Sequence, residues 1–200
     1  NAEALRGLRQ ALTDGSLAAV AKLGVHDGFF ANPRVKIPLP PSLQRVERGL
    51  RNFGMRREAD ELVLAMNRAA EAAVPEAKQL LTDAVKKMSV QDAKAILTGG
   101  DTAATDYFKR TTRPQLTQRF LPIVKSATDR VGLAQQYNAL AGQAAAFGLV
   151  KEEDANIERY VTQKALDGLY FTIGEQETAF RKDPVGASSA IVRKVFGAMR

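Results

Sequence analysis

Ile157-Glu158-Arg159-Tyr160-Val161-Thr162-Gln163-Lys164-Ala165-Leu166-Asp167-Gly168-Leu169-Tyr170-Phe171-Thr172-Ile173 decides the fold class. Ile157, Val161, Ala165, Leu169 and Ile173 recur every four positions, and Phe180 extends the series. That period places them on one face of an α-helix. Tyr160, Leu166 and Tyr170 widen the face, which predicts one long helix over 157–180, buried at a domain centre. Nowhere does the chain show a useful run of the two-residue alternation that marks a half-buried strand.

The segments before this helix carry helical punctuation. Thr112-Arg113-Pro114-Gln115 has the form of a capping box, which predicts a helix start. Leu116, Phe120, Val124, Ala127 and Val131 make its apolar face, and Pro122 predicts a kink or break within it. Ser89-Val90-Gln91-Asp92 is a variant capping box, with Asp in place of Glu, opening a short helix that ends at Gly99-Gly100. Asp101 then stands where a cap for the next helix, through Arg110, is needed. Its carboxylate is expected to accept the N–H of Ala103 or Ala104, with Gly99 or Gly100 at positive φ. Arg56 to Val74 reads as a helix with the stripe Leu62, Met66, Ala69 and Ala73. Pro75 kinks it or starts a new helix carrying Leu80, Leu81, Ala84, Val85 and Met88.

Ser42 to Phe53 reads as a helix closed by Gly54. Before it, Pro33, Pro38, Pro40 and Pro41 predict an extended crossing loop from Val25 to Ser42, with room for one short strand pairing. Leu5, Leu8 and Leu12 predict an N-terminal helix that breaks at Asp14-Gly15-Ser16, where Ser16 recaps a second helix to Leu23. Residues 133–147 form an Ala-rich helix, Glu152-Glu153-Asp154 a turn, and Asp183-Pro184 the start of a last helix buried through Ile191, Val195 and Met199. The expectation is an all-α, single-domain bundle of about eight to ten helices over residues 1–200, with one Pro-rich extended loop.

Composition narrows the chemistry. An apolar fraction of 45% and a charged fraction of 26% are those of a globular chain able to build a core. The absence of cysteine excludes disulfides, thiolate nucleophiles and Cys-ligated metals. A catalytic triad or a His-rich metal site would have to rest on His26 alone. No run approaches the ~18 apolar residues of a membrane-spanning helix. The chain starts at Asn1 rather than Met, which sets the expectation that an N-terminal segment has been removed. The net charge of +7 is uneven: residues 1–57 hold ten Lys/Arg against four acids, and residues 58–200 hold nineteen against eighteen. The basic excess therefore belongs to an N-terminal subregion, 1–57.

Several stretches are similar to one bacterial family, domain-of-unknown-function family 4197. They are Val35-Lys36-Ile37-Pro38-Leu39-Pro40, Met66-Asn67-Arg68-Ala69-Ala70-Glu71, Gly99-Gly100-Asp101-Thr102-Ala103-Ala104-Thr105-Asp106-Tyr107-Phe108, Phe120-Leu121-Pro122-Ile123-Val124, and Tyr160-Val161-Thr162-Gln163-Lys164-Ala165-Leu166-Asp167-Gly168-Leu169. They run in order along most of the chain. The resemblance implies an all-helical protein of Gram-negative-type bacteria, made with an export signal and placed in the periplasm or cell envelope. It carries over no catalytic residue.

The candidate site residues form three groups, each with a structural alternative. Asp101, Thr102 and Asp106 follow two glycines at a helix start, where backbone N–H groups can face an anion, but where Asp101 would itself fill that end. Asn67 and Arg68, with Glu71, interrupt an apolar helix. They form either a polar spot in a cleft near Asp101 or a satisfied buried Asn beside a surface ion pair. Arg45, Arg48 and Arg51 fall every three residues, with Arg56 and Arg57 just after, giving either a solvated face or a patch for an anionic surface. His26, beside Asp27, is expected to be a hydrogen-bonding loop residue. No catalytic residue, metal site or cofactor is expected. The preferred function is a non-enzymatic binding or interaction protein of the envelope, facing an anionic envelope surface or a protein partner. An enzyme centred on Asp101, Asp106 or Asp167 stands as an alternative, and so does a polyanion binder. Nucleic acid has charge alone in its favour, because no nucleic-acid-binding motif accompanies it.

Overall fold

The computed structural model describes residues 2–183. Among these there are eight α-helices and no strand: α1 (Ala2–Leu23), α2 (Pro41–Asn52), α3 (Arg56–Ala73), α4 (Ala77–Lys86), α5 (Val90–Thr98), α6 (Ala103–Thr128), α7 (Gly132–Ala146) and α8 (Ile157–Lys182). Short 3₁₀ turns lie at Val74–Glu76, where Pro75 sits, and at Glu152–Asp154. The fold is all-α, as the apolar period implies. The helix expected from Asp183-Pro184, with Ile191, Val195 and Met199, lies outside the described residues.

Two local caps stand where the sequence indicates. Ser89 Oγ accepts the Asp92 N–H at 3.0 Å and Asp92 Oδ2 accepts the Ser89 N–H at 3.0 Å, so the capping box at α5 is complete. At the end of α2, Gly54 adopts φ +83° and the Met55 N–H returns to the Leu50 carbonyl at 2.8 Å. This is the left-handed C-terminal closure for which glycine is suited. The end of α7 repeats it, with Gly148 at φ +72° and the Leu149 N–H on the Ala144 carbonyl at 2.9 Å.

Three expected breaks do not occur. α1 runs unbroken through Asp14-Gly15-Ser16. A methyl group at Gly15 would lie 3.1 Å from Phe180 Cε2, so this glycine serves close packing. Ser16 Oγ donates to the Thr13 carbonyl at 3.1 Å and caps nothing. α6 passes through both Pro114 and Pro122. Both prolines are exposed, so the carbonyls they leave unpaired face water. Thr112 buries its hydroxyl against Tyr170 at 2.7 Å instead of opening a capping box.

The chain folds as two compact units. The first gathers residues 2–22, 76–116 and 169–183. Its core includes Leu8, Leu81, Met88, Phe108, Leu116, Leu169 and Tyr170. Arg9 donates to the Met88 carbonyl at 2.8 Å, and Tyr107 to the Ala84 carbonyl at 2.6 Å. The second gathers residues 23–75 and 117–168. Its core includes Phe29, Ile37, Leu39, Leu62, Met66, Phe120, Val124, Ile157 and Val161. Across 157–173 the residues read as the apolar stripe of α8 are buried, while Phe180 is half-buried.

The Pro-rich segment of the second unit has no strand partner, and side chains take that role. Asn67, fully buried on α3, accepts the Ile37 N–H at 2.8 Å and donates to the Ile37 carbonyl at 3.0 Å. Its amide also reaches the Val63 carbonyl at 2.8 Å. Tyr160 donates to the Pro38 carbonyl at 2.7 Å, and Gln44 to the Leu39 carbonyl at 2.6 Å. Backbone groups that a sheet would pair are thus satisfied one by one.

Candidate functional site

The first helix start proposed as an anion site is already occupied. The N–H groups of Ala104 and Thr105 donate to the two Glu177 carboxylate oxygens at 2.9 Å each, and the Thr105 hydroxyl adds a bond of 2.6 Å. Glu177 is 6% exposed and is held in turn by Arg181 at 2.9 Å. The cap expected from Asp101 therefore comes from Glu177, on α8. Asp101 is exposed, and the Ala103 N–H bonds to the Gly100 carbonyl at 3.2 Å. Neither glycine has positive φ: Gly99 is extended at φ −82°, ψ −178°. A methyl group there would meet the Ala95 carbonyl at 2.5 Å and Ala103 Cβ at 2.8 Å, so Gly99 is required by close approach. Thr102 Oγ1 donates to Asp106 Oδ2 at 3.0 Å, an exposed pair one turn apart.

Asn67 and Arg68 belong to the second unit, whereas Asp101, Thr102 and Asp106 belong to the first. Asn67 spends its amide on the Pro-rich segment. Arg68 Nη1 lies 2.9 Å from Glu71 Oε2 and 2.8 Å from Asp27 Oδ1. Glu71 and then Asp27 push the guanidinium further towards its charged form. Buried Glu71 also accepts the N–H groups of Phe29 at 3.2 Å and Phe30 at 3.1 Å. This network fixes a turn in which Asp27 adopts φ +65°, a region that Asp tolerates better than most residues. A methyl at Gly28 would strike the Leu23 carbonyl at 2.2 Å, so only glycine fits. His26 lies on this turn with Nε2 3.4 Å from Arg68 Nη2.

The turn sends its two phenylalanines different ways. Phe29 is fully buried, close enough to Gly168 that a methyl there would meet its ring at 2.8 Å. Phe30 is half-buried and helps to line a cleft of about 870 Å³ beside α2 and α3. Phe30, Val63 and Leu64 supply apolar lining; Lys36, Arg51, Arg56 and Arg57 supply cations, with Asp60 and Glu61 among them. Lys36 Nζ stands 4.4 Å from the Phe30 ring centre and the Arg68 guanidinium 5.3 Å, so two cations share one aromatic ring.

The five arginines read as a patch divide into two kinds. Arg51 is bound by Asp60 at 2.8 Å and Glu47 at 2.9 Å, and Arg57 by Glu61 at 2.8 Å. Both guanidiniums have their pKa raised, by Asp60 first for Arg51 and by Glu61 first for Arg57. Arg45, Arg48 and Arg56 are exposed and make no ion pair among the described residues. Lys36 is exposed too, and its contact is the Phe30 ring. Sequence spacing identified the arginines. It missed Lys36 and Phe30, whose only signal is their closeness to the prolines and to Gly28.

A family model described as Protein of unknown function (DUF4197) matches residues 1–197. The chain belongs to this family. No curated protein and no solved structure matches this DUF4197 chain. Two of the stretches that carried the resemblance now have physical reasons. In Met66-Asn67-Arg68-Ala69-Ala70-Glu71, the polar residues hold the Pro-rich segment and the Phe29-Phe30 turn. In the Gly99–Phe108 stretch, Gly99 admits Ala103, and Ala104 and Thr105 receive Glu177. Among the described residues, no three His, Asp or Glu side chains gather as a metal site, and no helix is long and apolar enough to cross a membrane.

Proposed function

We propose that this chain is a non-enzymatic binding protein of the bacterial cell envelope that engages an anionic partner through the α2–α3 corner. One observation carries the proposal. Arg45, Arg48, Arg56 and Lys36 are exposed cations without carboxylate partners among the described residues, and Arg56 and Lys36 line a cleft to which Phe30, Val63 and Leu64 add apolar surface. Three of the neighbouring acids are already committed, Asp60 and Glu47 to Arg51 and Glu61 to Arg57, and the Glu58 carboxylate has a buried oxygen rather than a surface ion pair among the described residues. The remaining cations are open to an external anion. Elsewhere, the buried carboxylates of Glu177 and Glu71 and the buried amide of Asn67 are engaged in holding the fold. The envelope assignment rests on the family resemblance.

Retention on immobilised heparin tests this reading. The chain should bind at low salt and elute as salt rises, because exposed charge pairs are screened over about 10 Å at 0.1 M ionic strength. Replacing Arg45, Arg48 and Arg56 together by Glu should abolish retention, while Arg57→Gln should change it little. Absence of retention of the unmodified chain at low salt would remove the proposal.

A further inference from the structure

Phe53 is the most exposed large apolar side chain described, at 88%. It sits at the C-cap of α2, in the three-residue turn that leads into α3. Nothing about that turn requires an aromatic ring. The turn is closed by the Phe53 N–H on the Gly49 carbonyl at 2.9 Å, the Met55 N–H on the Leu50 carbonyl at 2.8 Å, and the positive φ of Gly54. These are backbone features that any residue at position 53 other than proline would permit. They also hold the Phe53 backbone in a fixed conformation, so ring presentation costs little further ordering.

Two cations without ion pairs among the described residues flank the ring in sequence, while Glu47, Asp60 and Glu61 nearby are paired with Arg51 and Arg57. Arg48 precedes it on α2 and Arg56 begins α3, both exposed and without an ion pair among the described residues. Its neighbours Arg51 and Gly54 line the cleft that carries Phe30, Val63 and Leu64. Cations beside a protruding ring and an apolar cleft match one surface in particular, where anionic headgroups lie over hydrocarbon. Phe serves as a buried apolar anchor at that boundary, and each basic side chain near an anionic leaflet strengthens attachment. An acidic polymer would use the arginines and leave the ring in water. A single-stranded nucleic acid could stack on it, but such surfaces present successive aromatics. The other exposed phenylalanine of this unit, Phe147 at 81%, caps a different helix and is followed by Glu152-Glu153-Asp154.

Building on the anionic-partner reading above, we infer that the α2–α3 corner docks on an anionic phospholipid bilayer, with Phe53 inserted among the acyl chains and Arg48 and Arg56 on the headgroup phosphates. The chain has no tryptophan, so Phe53→Trp gives a single fluorescent reporter. Its emission should shift to the blue with phosphatidylglycerol/phosphatidylcholine vesicles, and not with phosphatidylcholine vesicles or with heparin. In vesicle co-sedimentation, Phe53→Ser should weaken binding roughly ten-fold, the contribution of one buried ring. The same variant should elute from heparin unchanged, and Phe147→Ser should alter neither measurement. Arg48→Gln with Arg56→Gln should weaken vesicle binding about 30-fold, at about five-fold per charge, and lower heparin retention as well. Circular dichroism confirms that each variant is folded. Heparin retention without a vesicle-induced shift of the Phe53→Trp emission would overturn the lipid inference and leave the anionic-partner reading standing. So would equal losses from Phe53→Ser and Phe147→Ser. Failure to bind either heparin or vesicles would overturn both.

Discussion

Replacing Glu177 by Ala tests whether a carboxylate on α8 starts α6. Glu177 accepts five hydrogen bonds: from the Ala104 and Thr105 N–H groups, from the Thr105 hydroxyl, and from Arg181 Nε and Nη2. The alanine variant leaves two N–H groups at a buried helix start without acceptors, and each such group costs about 1–3 kcal/mol. Arg181 loses two of its bonds but keeps the one to the Ile96 carbonyl at 3.1 Å. The expected loss is about 3–5 kcal/mol, in the range for removing one partner of a buried pair. For a chain of this length that lowers the melting temperature by roughly 6–20 °C. Glu177→Gln retains one acceptor oxygen and should lose about half as much. Asp101→Ala should stay within about 0.5 kcal/mol, as for surface positions without such bonds. Urea denaturation followed by far-UV circular dichroism measures all three. If Asp101→Ala costs as much as Glu177→Ala, the assignment of the cap to Glu177 is wrong.

Asn67→Ala should destabilise the chain by about 3 kcal/mol, since it strips partners from both backbone groups of Ile37 in a buried position; a loss under about 1 kcal/mol would show that the Pro-rich segment is held by other contacts. All four tyrosines have their ionisation pushed up by burial, that of Tyr170 to about 12 and that of Tyr160 further still. A group whose folded pKa is raised contributes stability that is complete below its unfolded pKa and lost as pH rises through the folded one. Stability should therefore fall from about pH 10 upward. Ultraviolet difference absorbance should show tyrosinate appearing with unfolding, and a native chain whose tyrosines are half-ionised at about pH 10, the ordinary tyrosine value, would contradict the burial.

Legibility in the sequence tracks the distance between partners. The capping box Ser89/Asp92 and the Gly54 closure involve residues within five positions of each other, and both stand where the sequence indicates. The arginine series was visible as spacing. That Asp60 neutralises Arg51 was not, because the pair forms across a turn whose geometry sequence does not give. Gly15, Pro114 and Pro122 look like helix breakers by local preference. They are overridden, in the first case by the Phe180 ring and in the others by exposure to water. Asp101 is a reasonable cap on local grounds, and the true one lies 73 residues beyond Ala104. A buried Asn67 satisfied by its surroundings is among the readings the sequence allows, and it stands, bonded to Ile37; Glu71, which spacing pairs with Arg68 at the surface, is instead buried and holds two backbone N–H groups.

The first unit is assembled from the two ends of the described chain and a middle segment. α1 meets Met88 through Arg9, but Gly15 packs on Phe180 and Lys22 pairs with Glu175. The start of α6 likewise waits for Glu177. On the ribosome, α1 emerges long before α8, so these contacts with α8 must wait. Until α8 has emerged, α1 can meet the middle segment, but Gly15 and Lys22 lack the α8 residues they pack on and pair with. Contacts this distant in sequence form slowly. Such an order of assembly leaves the first unit incomplete until α8 has been made.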